Sequence, residues 1–91
     1  MRRIKNPKPG EYVLLTKFSD KDVCDPFFLG FFSHKRIIGD TINYYATDNS
    51  GKLSQYPRYR YCYRLTAQEG KDFIEKYRNC PCYVPELDNF D

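Results

Sequence analysis

The sequence predicts a mainly β fold, a small antiparallel barrel of five strands followed by one C-terminal α-helix. The first observation behind this prediction is a series of short apolar and aromatic segments, separated at close spacing by turn-forming residues. The second is a change of the apolar pattern from a period of two to a period of 3.6 after Leu65. The third is the length of 91 residues, which suffices for a single domain with a thin core.

The amino-terminal part of the chain, residues 1–9, is predicted to be an extended basic arm. Pro7 and Pro9 disfavour helix there, and the simplest interpretation is a frayed terminus. Residues 10–65 are predicted to form the barrel. The predicted strands cover residues 11–18, 27–34 with a continuation over 35–38, 41–47, 52–55 and 56–65. Gly30, in the middle of the second of these strands, predicts a bulge or a sharp bend.

The last predicted strand alternates tyrosine with arginine. A period of two places the two residue types on opposite faces of the strand. One face is aromatic, with Tyr59, Tyr61, Tyr63 and Leu65; the other is mostly cationic, with Arg58, Arg60, Cys62 and Arg64. The aromatic face requires a core, and the cationic face requires water or an anionic partner.

Residues 66–79 are predicted to form the helix. Thr66 and Glu69 fit a capping box, in which each residue accepts a hydrogen bond from the backbone of the other. Gly70 would permit a close approach to the sheet. The residues expected on the buried helical face are Phe73, Ile74 and Tyr77.

Residues 80–91 are predicted to be an acidic and aromatic tail. Its apolar residues are expected to pack back onto the domain or to contact a partner; they are Tyr83, Val84, Leu87 and Phe90.

The net charge of +3 is too small to indicate a polyanionic partner by itself. The distribution of the charges is more informative, because residues 1–10 and 49–68 contain bases and no acid. We expect neither a signal peptide nor a membrane span, since the chain opens on arginines and prolines and has no long apolar run. A cytoplasmic location follows as an expectation, with the cysteines as thiols.

Two short patterns carry a resemblance to a known fold. Residues 8–14 resemble the opening of SH3-like barrels, in which proline or glycine precedes an acidic residue and an apolar strand. A second pattern is similar to Tudor-type domains. It is the order of residues 18–20, then the aromatic strand with Gly30, and then Tyr45 followed by the turn at 48–51. The resemblance covers residues 8–65. The compact size and the tail also resemble small proteins of phages and mobile elements.

The resemblance to Tudor domains implies an aromatic cage for methylated lysine or arginine, which acts through cation–π attraction. The cage residues that it implies are Phe18, Phe27 or Phe28, and Tyr45, with Asp48 as the polar edge. The sequence departs from the pattern, because no second aromatic residue follows closely after Tyr45 and the chain has no tryptophan. The alternative is that these rings belong to the core.

The cationic face predicts a surface for a nucleic acid or another acidic partner. Side chains two residues apart on a strand are separated by about 6.6–7 Å, which approximates the spacing of phosphates along one strand. Aromatic rings beside arginine are typical of surfaces that bind single strands. The candidate binding residues are Arg58, Arg60, Arg64, Lys52, Arg2 and Arg3. The alternative is a solvated face whose arginines pair with acids such as Asp20 and Asp22.

The cysteines do not predict a metal site. Cys24, Cys62, Cys80 and Cys82 include no C-x-x-C pair, and a bridge between Cys80 and Cys82 would be strained. His34 is the only histidine, so no catalytic triad is suggested. We therefore expect a non-enzymatic module without a cofactor that binds nucleic acid or an acidic partner. The alternative is a protein-interaction or inhibitor module, encoded by a phage, that binds a host protein through exposed aromatic residues.

Overall fold

Residues 1–19, 25–55 and 58–83 are described by a computed structural model of the chain. Across these residues, five strands form one antiparallel sheet, and a helix follows the last strand. The elements are β1 (Arg2–Ile4), β2 (Tyr12–Thr16), β3 (Phe27–Ile38), β4 (Thr41–Thr47), β5 (Tyr61–Arg64) and α1 (Ala67–Arg78). The order across the sheet is β1-β5-β2-β3-β4, with β1 and β4 as its edges. The predicted mainly β fold with a C-terminal helix is confirmed, as an open sheet.

Strand β2 lies at the centre of the sheet. It pairs with β3 on one side and with β5 on the other, in registers that place Leu14 opposite Leu29 and Tyr63. Val13, Leu14 and Leu15 are all fully buried. Because successive side chains of a strand point to opposite faces, both faces of β2 are covered. The two-sided burial that the sequence pattern predicts for this strand is confirmed.

Each face of the sheet has its own apolar core. The helix-side core consists of Leu14, Leu29, Tyr63, Leu65, Phe73, Ile74 and Tyr77. The opposite core consists of Val13, Leu15, Phe32, Tyr44, Ala46, Tyr59 and Cys62. The helix covers the first of these cores, and residues from β3, β4 and the approach to β5 enclose the second.

The helix agrees with its prediction at both ends and on its buried face. Thr66 Oγ1 accepts the Glu69 N–H at 3.2 Å, and the Glu69 carboxylate accepts the Thr66 N–H at 2.9 Å, which completes the capping box. Asn79 caps the carboxyl end. The buried residues of the helix are Gly70, Phe73, Ile74 and Tyr77.

The interpretation of the amino-terminal arm as a frayed terminus is wrong. Strand β1 pairs with β5, with Arg2 opposite Arg64 and Ile4 opposite Cys62. The physical reason is that the outer edge of β5 presents backbone N–H and C=O groups that need partners. The extended arm satisfies these groups without leaving the conformation that its prolines favour.

Two predicted strands are shorter in the structure. In place of a strand over 52–55, Leu53 makes one isolated bridge to Thr47. Strand β5 begins at Tyr61, so residues 58–60 of the predicted tyrosine–arginine strand are not part of a regular strand. The predicted split into an aromatic and a cationic face is confirmed only in part. Arg58, Arg60 and Arg64 are exposed, and Tyr63 and Leu65 lie in the helix-side core, but Tyr59 lies in the opposite core together with Cys62.

The bulge predicted at Gly30 is located elsewhere. Gly30 pairs regularly with Val13, and the register shift of β3 falls between Phe32 and His34. Gly30 is required for a different reason, because a Cβ atom at this position would overlap the carbonyl oxygen of Thr47. Gly70 has the predicted role: a Cβ atom there would overlap the hydroxyl of Tyr12, so the glycine lets the helix approach the sheet.

The end of the described chain packs against the helix. The Tyr83 ring lies edge-on to the Tyr77 ring, with centroids 5.1 Å apart. The predictions for Val84, Leu87 and Phe90 lie outside the described residues. Within the described ranges, no helix is both long and apolar enough to cross a membrane.

The two glycines allow a comparison of matched substitutions. We expect Gly30→Ala to lower the free energy of unfolding by about 1–3 kcal/mol, because the obstructing Thr47 oxygen is a backbone atom that cannot rotate away. Gly70→Ala should cost less, because the Tyr12 ring can shift and alanine gains about 1 kcal/mol over glycine in a helix. Urea denaturation measures both values. An equal or larger loss in Gly70→Ala would contradict the packing described here.

Candidate functional site

The strongest candidate site is an open pocket of about 740 Å³ at one end of β2 and β5. It is lined by Lys17, Phe18, Ser19, Asp25, Arg58, Arg60 and Tyr61. We call it the cationic pocket, because three of its described lining residues are basic and one is acidic. Its volume is in the range of ligand sites, about 300–1,000 Å³.

The antiparallel pairing of β2 with β5 brings the pocket residues together. Thr16 is the last residue of β2, and it lies opposite Tyr61, the first residue of β5. The Arg60 N–H donates to the Thr16 carbonyl oxygen at 3.0 Å, so the pairing extends beyond the regular strands. Residues that leave β2 therefore lie beside residues that enter β5, although more than 40 positions of sequence separate them.

Phe18 presents its ring at the surface of the pocket. The residue is 45% exposed. The Lys17 ammonium lies 5.3 Å from the centroid of the ring, within cation–π distance. Thr16 Oγ1 donates to the Phe18 carbonyl oxygen at 2.6 Å and thereby fixes the backbone at the point where the strand ends.

Tyr61 forms the other aromatic wall and connects the pocket to the amino-terminal arm. The Arg3 guanidinium lies 4.8 Å from the centroid of the Tyr61 ring. Tyr61 also packs partly against the helix-side core, which holds its ring in place. The predicted binding residue Arg3 therefore lies beside the cationic pocket, adding a positive charge at its border.

Two tyrosines fix the loops around the pocket. The Tyr63 hydroxyl donates to the carbonyl oxygen of Ser19, a residue of the pocket lining. The Tyr59 hydroxyl donates to the Phe27 carbonyl oxygen at 3.0 Å. Because both rings are buried, these bonds connect the backbone of Ser19 and of Phe27 to core residues.

The remaining predicted cationic residues lie elsewhere. Arg64 forms an ion pair with Glu11, and Arg2 lies opposite Arg64 on β1. Lys52 is in the turn after β4, where its N–H donates to Asp48 Oδ1 at 2.9 Å. The structure therefore brings Arg58 and Arg60 together in one pocket and gives Arg64 an acidic partner within the chain. Asp20 and Asp22, the acids considered as partners in the sequence, lie outside the described residues.

The Arg64–Glu11 pair has an electrostatic signature. The Arg64 guanidinium, helped by the Lys8 N–H, which donates to Glu11 Oε2 at 2.9 Å, lowers the pKa of the Glu11 carboxyl. The charge of Arg64 is thus partly balanced before any partner arrives.

The residues that the Tudor resemblance implies for an aromatic cage pack against different parts of the structure. Phe27 packs against Phe73 and Tyr77, with centroid distances of 4.9 Å, on the helix side of the sheet. Phe28 packs against the opposite core. Tyr45 stacks on the His34 ring at 4.7 Å.

Asp48, the implied polar edge of the cage, organises its own turn. Ser50 and Lys52 donate hydrogen bonds to its carboxylate, and these bonds lower the pKa of Asp48. Of the implied cage residues, Phe18 lines the cationic pocket.

A second cavity of about 650 Å³ lies between α1 and the sheet. Its apolar lining includes Tyr12, Phe31 and Ile74, and its rim carries Lys71, Glu75 and Arg78. These three charged residues are two bases and one acid, so the excess of positive charge is smaller here than in the cationic pocket.

Sequence reasoning missed several residues of this region, including Ser19 and Asp25 of the pocket lining. Lys17 and Tyr61 line the pocket, and Glu11 neutralises Arg64. Lys17 could have been identified from the sequence, because it directly precedes Phe18 at the end of a buried strand. The positions of Glu11 and Tyr61 depend on the register between β2 and β5, which the sequence pattern does not reveal.

The cysteines and the acidic residues form no metal cluster among the residues that the structure describes. Cys62 is fully buried in the opposite core, and this burial raises the pKa of its thiol to about 12. Cys80 and Cys82 lie together after the helix, with their sulfur atoms 2.8 Å apart.

Comparison with protein-family models, with curated proteins and with solved structures finds no match for this chain.

The Arg64–Glu11 pair predicts a specific dependence of stability on pH. Since the pKa of Glu11 is lower in the folded state, the unfolded chain binds a proton at this carboxyl more readily. The pair therefore stabilises the fold above the ordinary pKa of 4.5, and this contribution is lost as the pH falls through the folded pKa. We expect Glu11→Gln to flatten the decline of Tm as the pH falls below 4.5.

The partner residue provides the control. Arg64→Ala should flatten the same decline less than Glu11→Gln does, because the Lys8 N–H still donates to the carboxylate. If the Tm of Arg64→Ala depends on pH as the Tm of the wild-type chain does, the Arg64 guanidinium does not lower the pKa of Glu11.

Proposed function

We propose that this chain is a non-enzymatic module that binds single-stranded nucleic acid at the cationic pocket. The observation that carries the proposal is the combination of the exposed Phe18 ring with the side chains of Lys17, Arg58 and Arg60 around one open cavity. Surfaces that bind single strands use the same two components, cations along the backbone and aromatic rings on which bases stack.

The charges in the pocket suit phosphate. Arg58 and Arg60 are both exposed, and Arg3 adds a third guanidinium beside Tyr61. Arginine binds phosphate oxygens through a planar fork of donors, which favours it over a simple point charge. Asp25 is the acidic residue of the described lining, and the positive charges exceed it. Arg64 has a smaller role in this proposal because Glu11 already balances its charge.

The rings suit bases. Stacking of a base on an aromatic side chain contributes about 1–3 kcal/mol and tolerates any base. Phe18 has much of its ring accessible, and the buried hydroxyl contacts of Tyr59 and Tyr63 hold the surrounding loops in position. A duplex cannot offer its base faces to such a ring, so a single strand is the favoured ligand.

We also propose that the sheet curls into an SH3/Tudor-like barrel. Its two sides would be joined by individual hydrogen bonds. The Tyr44 hydroxyl donates to the Lys5 carbonyl oxygen at 3.1 Å, which connects β4 to the chain just after β1. Lys35 Nζ donates to Asn6 Oδ1 at 2.6 Å. The Tyr44 N–H donates to the Tyr59 carbonyl oxygen at 2.7 Å. These contacts between the two sides of the sheet support a closed arrangement without a continuous ladder.

A second candidate function, binding of a protein partner, is favoured by a separate surface. Ile37 and Ile38 at the tip of the β3–β4 hairpin are 65% and 59% exposed. Apolar side chains at a protruding tip are typical anchors of protein contacts. In this case the chain would bind a host protein through the hairpin tip and Phe18, as the alternative in the sequence analysis supposes.

The test measures the affinity of the full chain for a fluorescent single-stranded oligonucleotide as a function of salt. Each phosphate contact contributes about 0.7 to the slope of log affinity against log salt for a single strand. We expect Arg58→Ala and Arg60→Ala each to weaken binding and to flatten the slope by about that amount. Phe18→Ala should weaken binding without changing the slope, because it removes stacking and no charge.

Arg64→Ala is the matched control, since it removes the same group from the same segment of chain. We expect it to leave the slope near the wild-type value, because its guanidinium is paired with Glu11. If the wild-type chain does not bind oligonucleotides at low salt, where phosphate contacts are strongest, the nucleic-acid proposal fails and the protein partner is favoured. Equal effects of Arg64→Ala and Arg60→Ala would refute the assignment to the pocket.

A further inference from the structure

The segment that follows α1 holds two cysteines side by side, and neither lines the cationic pocket or the cavity beside α1. The Sγ atoms of Cys80 and Cys82 are 2.8 Å apart, and both residues are half-buried. We propose that Cys80 and Cys82 form a reversible redox site, a dithiol that exchanges with small-molecule disulfides and closes to a Cys80–Cys82 disulfide.

A tight turn brings the two sulfur atoms together. The Tyr83 N–H donates to the Cys80 carbonyl oxygen at 3.0 Å, so residues 80–83 form a β-turn. Pro81 occupies the second position of this turn, where its fixed φ angle is favourable. A turn of this kind reverses the chain within four residues, and here the side chains of its first and third residues meet on one side.

The rest of the structure holds this turn in place. The Cys80 N–H donates to the Tyr77 carbonyl oxygen at 3.0 Å, and the Asn79 N–H donates to the Glu75 carbonyl oxygen at 3.2 Å. The side chains of Cys80 and Tyr83 pack against the helix-side core. The dithiol is therefore organised before any oxidant arrives, which is the condition under which a neighbouring thiol resolves a mixed disulfide quickly.

Cys62 provides a contrast within the same chain. It is fully buried in the core opposite the helix, and burial raises the pKa of its thiol to about 12. Since the thiolate is the reactive form, Cys62 should be inert at neutral pH. Cys80 and Cys82 are accessible enough for a small disulfide to reach them.

Oxidised glutathione can serve as the oxidant in this exchange. The thiolate of one cysteine attacks the glutathione disulfide, forms a mixed disulfide and releases one reduced glutathione. The second thiolate then attacks the protein sulfur of the mixed disulfide and releases the other glutathione. The two protein thiols lose two electrons, glutathione disulfide gains them, and the two protons end on the two glutathione thiols. The three-residue ring departs from relaxed disulfide geometry, which makes the bridge easily reduced again.

The test incubates the full chain in glutathione buffers of increasing oxidised fraction, blocks remaining thiols with iodoacetamide under denaturing conditions and digests with trypsin. Cleavage after Arg78 gives a peptide 79–91 that contains Cys80 and Cys82, while peptide 61–64 contains Cys62. We expect peptide 79–91 to lose both alkyl groups together and to become lighter than the dithiol by about 2 Da, the mass of two hydrogens. Peptide 61–64 should stay alkylated, and dithiothreitol should reverse the change.

The Cys82→Ser variant distinguishes two possibilities: that the second cysteine displaces glutathione from the first, and that the two thiols react independently. It should accumulate a stable glutathione adduct on Cys80, whereas the wild-type chain should show this adduct only transiently. The proposal is overturned if peptide 79–91 stays doubly alkylated in fully oxidised buffer, or if glutathione adducts persist on the wild-type chain. A bridge from this peptide to peptide 22–35, which contains Cys24, would also overturn it.

Discussion

The burial of β2 on both faces is the constraint on which the other features of this domain depend. Val13 and Leu15 face one core and Leu14 faces the other, while β3 and β5 use up the hydrogen-bonding groups on both sides of the strand. A shift of one residue in either pairing would move apolar side chains to the wrong core, so the register is strongly specified. The same register places Lys17 and Phe18, which leave β2, beside Arg58 and Arg60, which enter β5.

The tyrosines explain how a small chain uses so many aromatic residues. Tyr44, Tyr59 and Tyr63 bury their rings in the cores and donate their hydroxyl hydrogens to backbone carbonyl oxygens of other segments, those of Lys5, Phe27 and Ser19. Each of these tyrosines contributes apolar area and, at the same time, satisfies a polar group at the border of the core. A phenylalanine would supply only the first contribution. The loops next to the cationic pocket are therefore fixed by core residues and not by local turns alone.

Much of the fold could be predicted from the sequence, and the reasons are local. The capping box of Thr66 and Glu69 and the apolar positions 73, 74 and 77 define the helix. The alternation over 58–65 indicates that the three arginines are exposed, but it does not indicate that Tyr59 and Cys62 share one core. The pairing of β1 with β5 could not be predicted, because a basic arm with prolines has no apolar alternation that would indicate a partner. Cys62 shows the same limit: it alternates with the arginines in the sequence, yet its side chain is fully buried in the core opposite the helix.

The candidate site was predicted in part. Arg58, Arg60 and Phe18 were identified from their residue types, but the sequence placed the arginines and Phe18 in two different hypotheses, a phosphate-binding face and an aromatic cage. The structure unites them because β2 and β5 are neighbours, and it separates Arg64 from them through Glu11. Residue types therefore indicated the chemistry, whereas the grouping depended on strand order.

The most direct test of this account is an NMR titration of the isotope-labelled chain with a short single-stranded oligonucleotide at low salt. The account predicts that backbone amide shifts change at residues 16–19 and 58–61, where the cationic pocket lies, with small changes at Glu11 and Arg64. Shifts that concentrate at the β3–β4 hairpin tip or at the cavity beside α1, or no shifts at all, would contradict it.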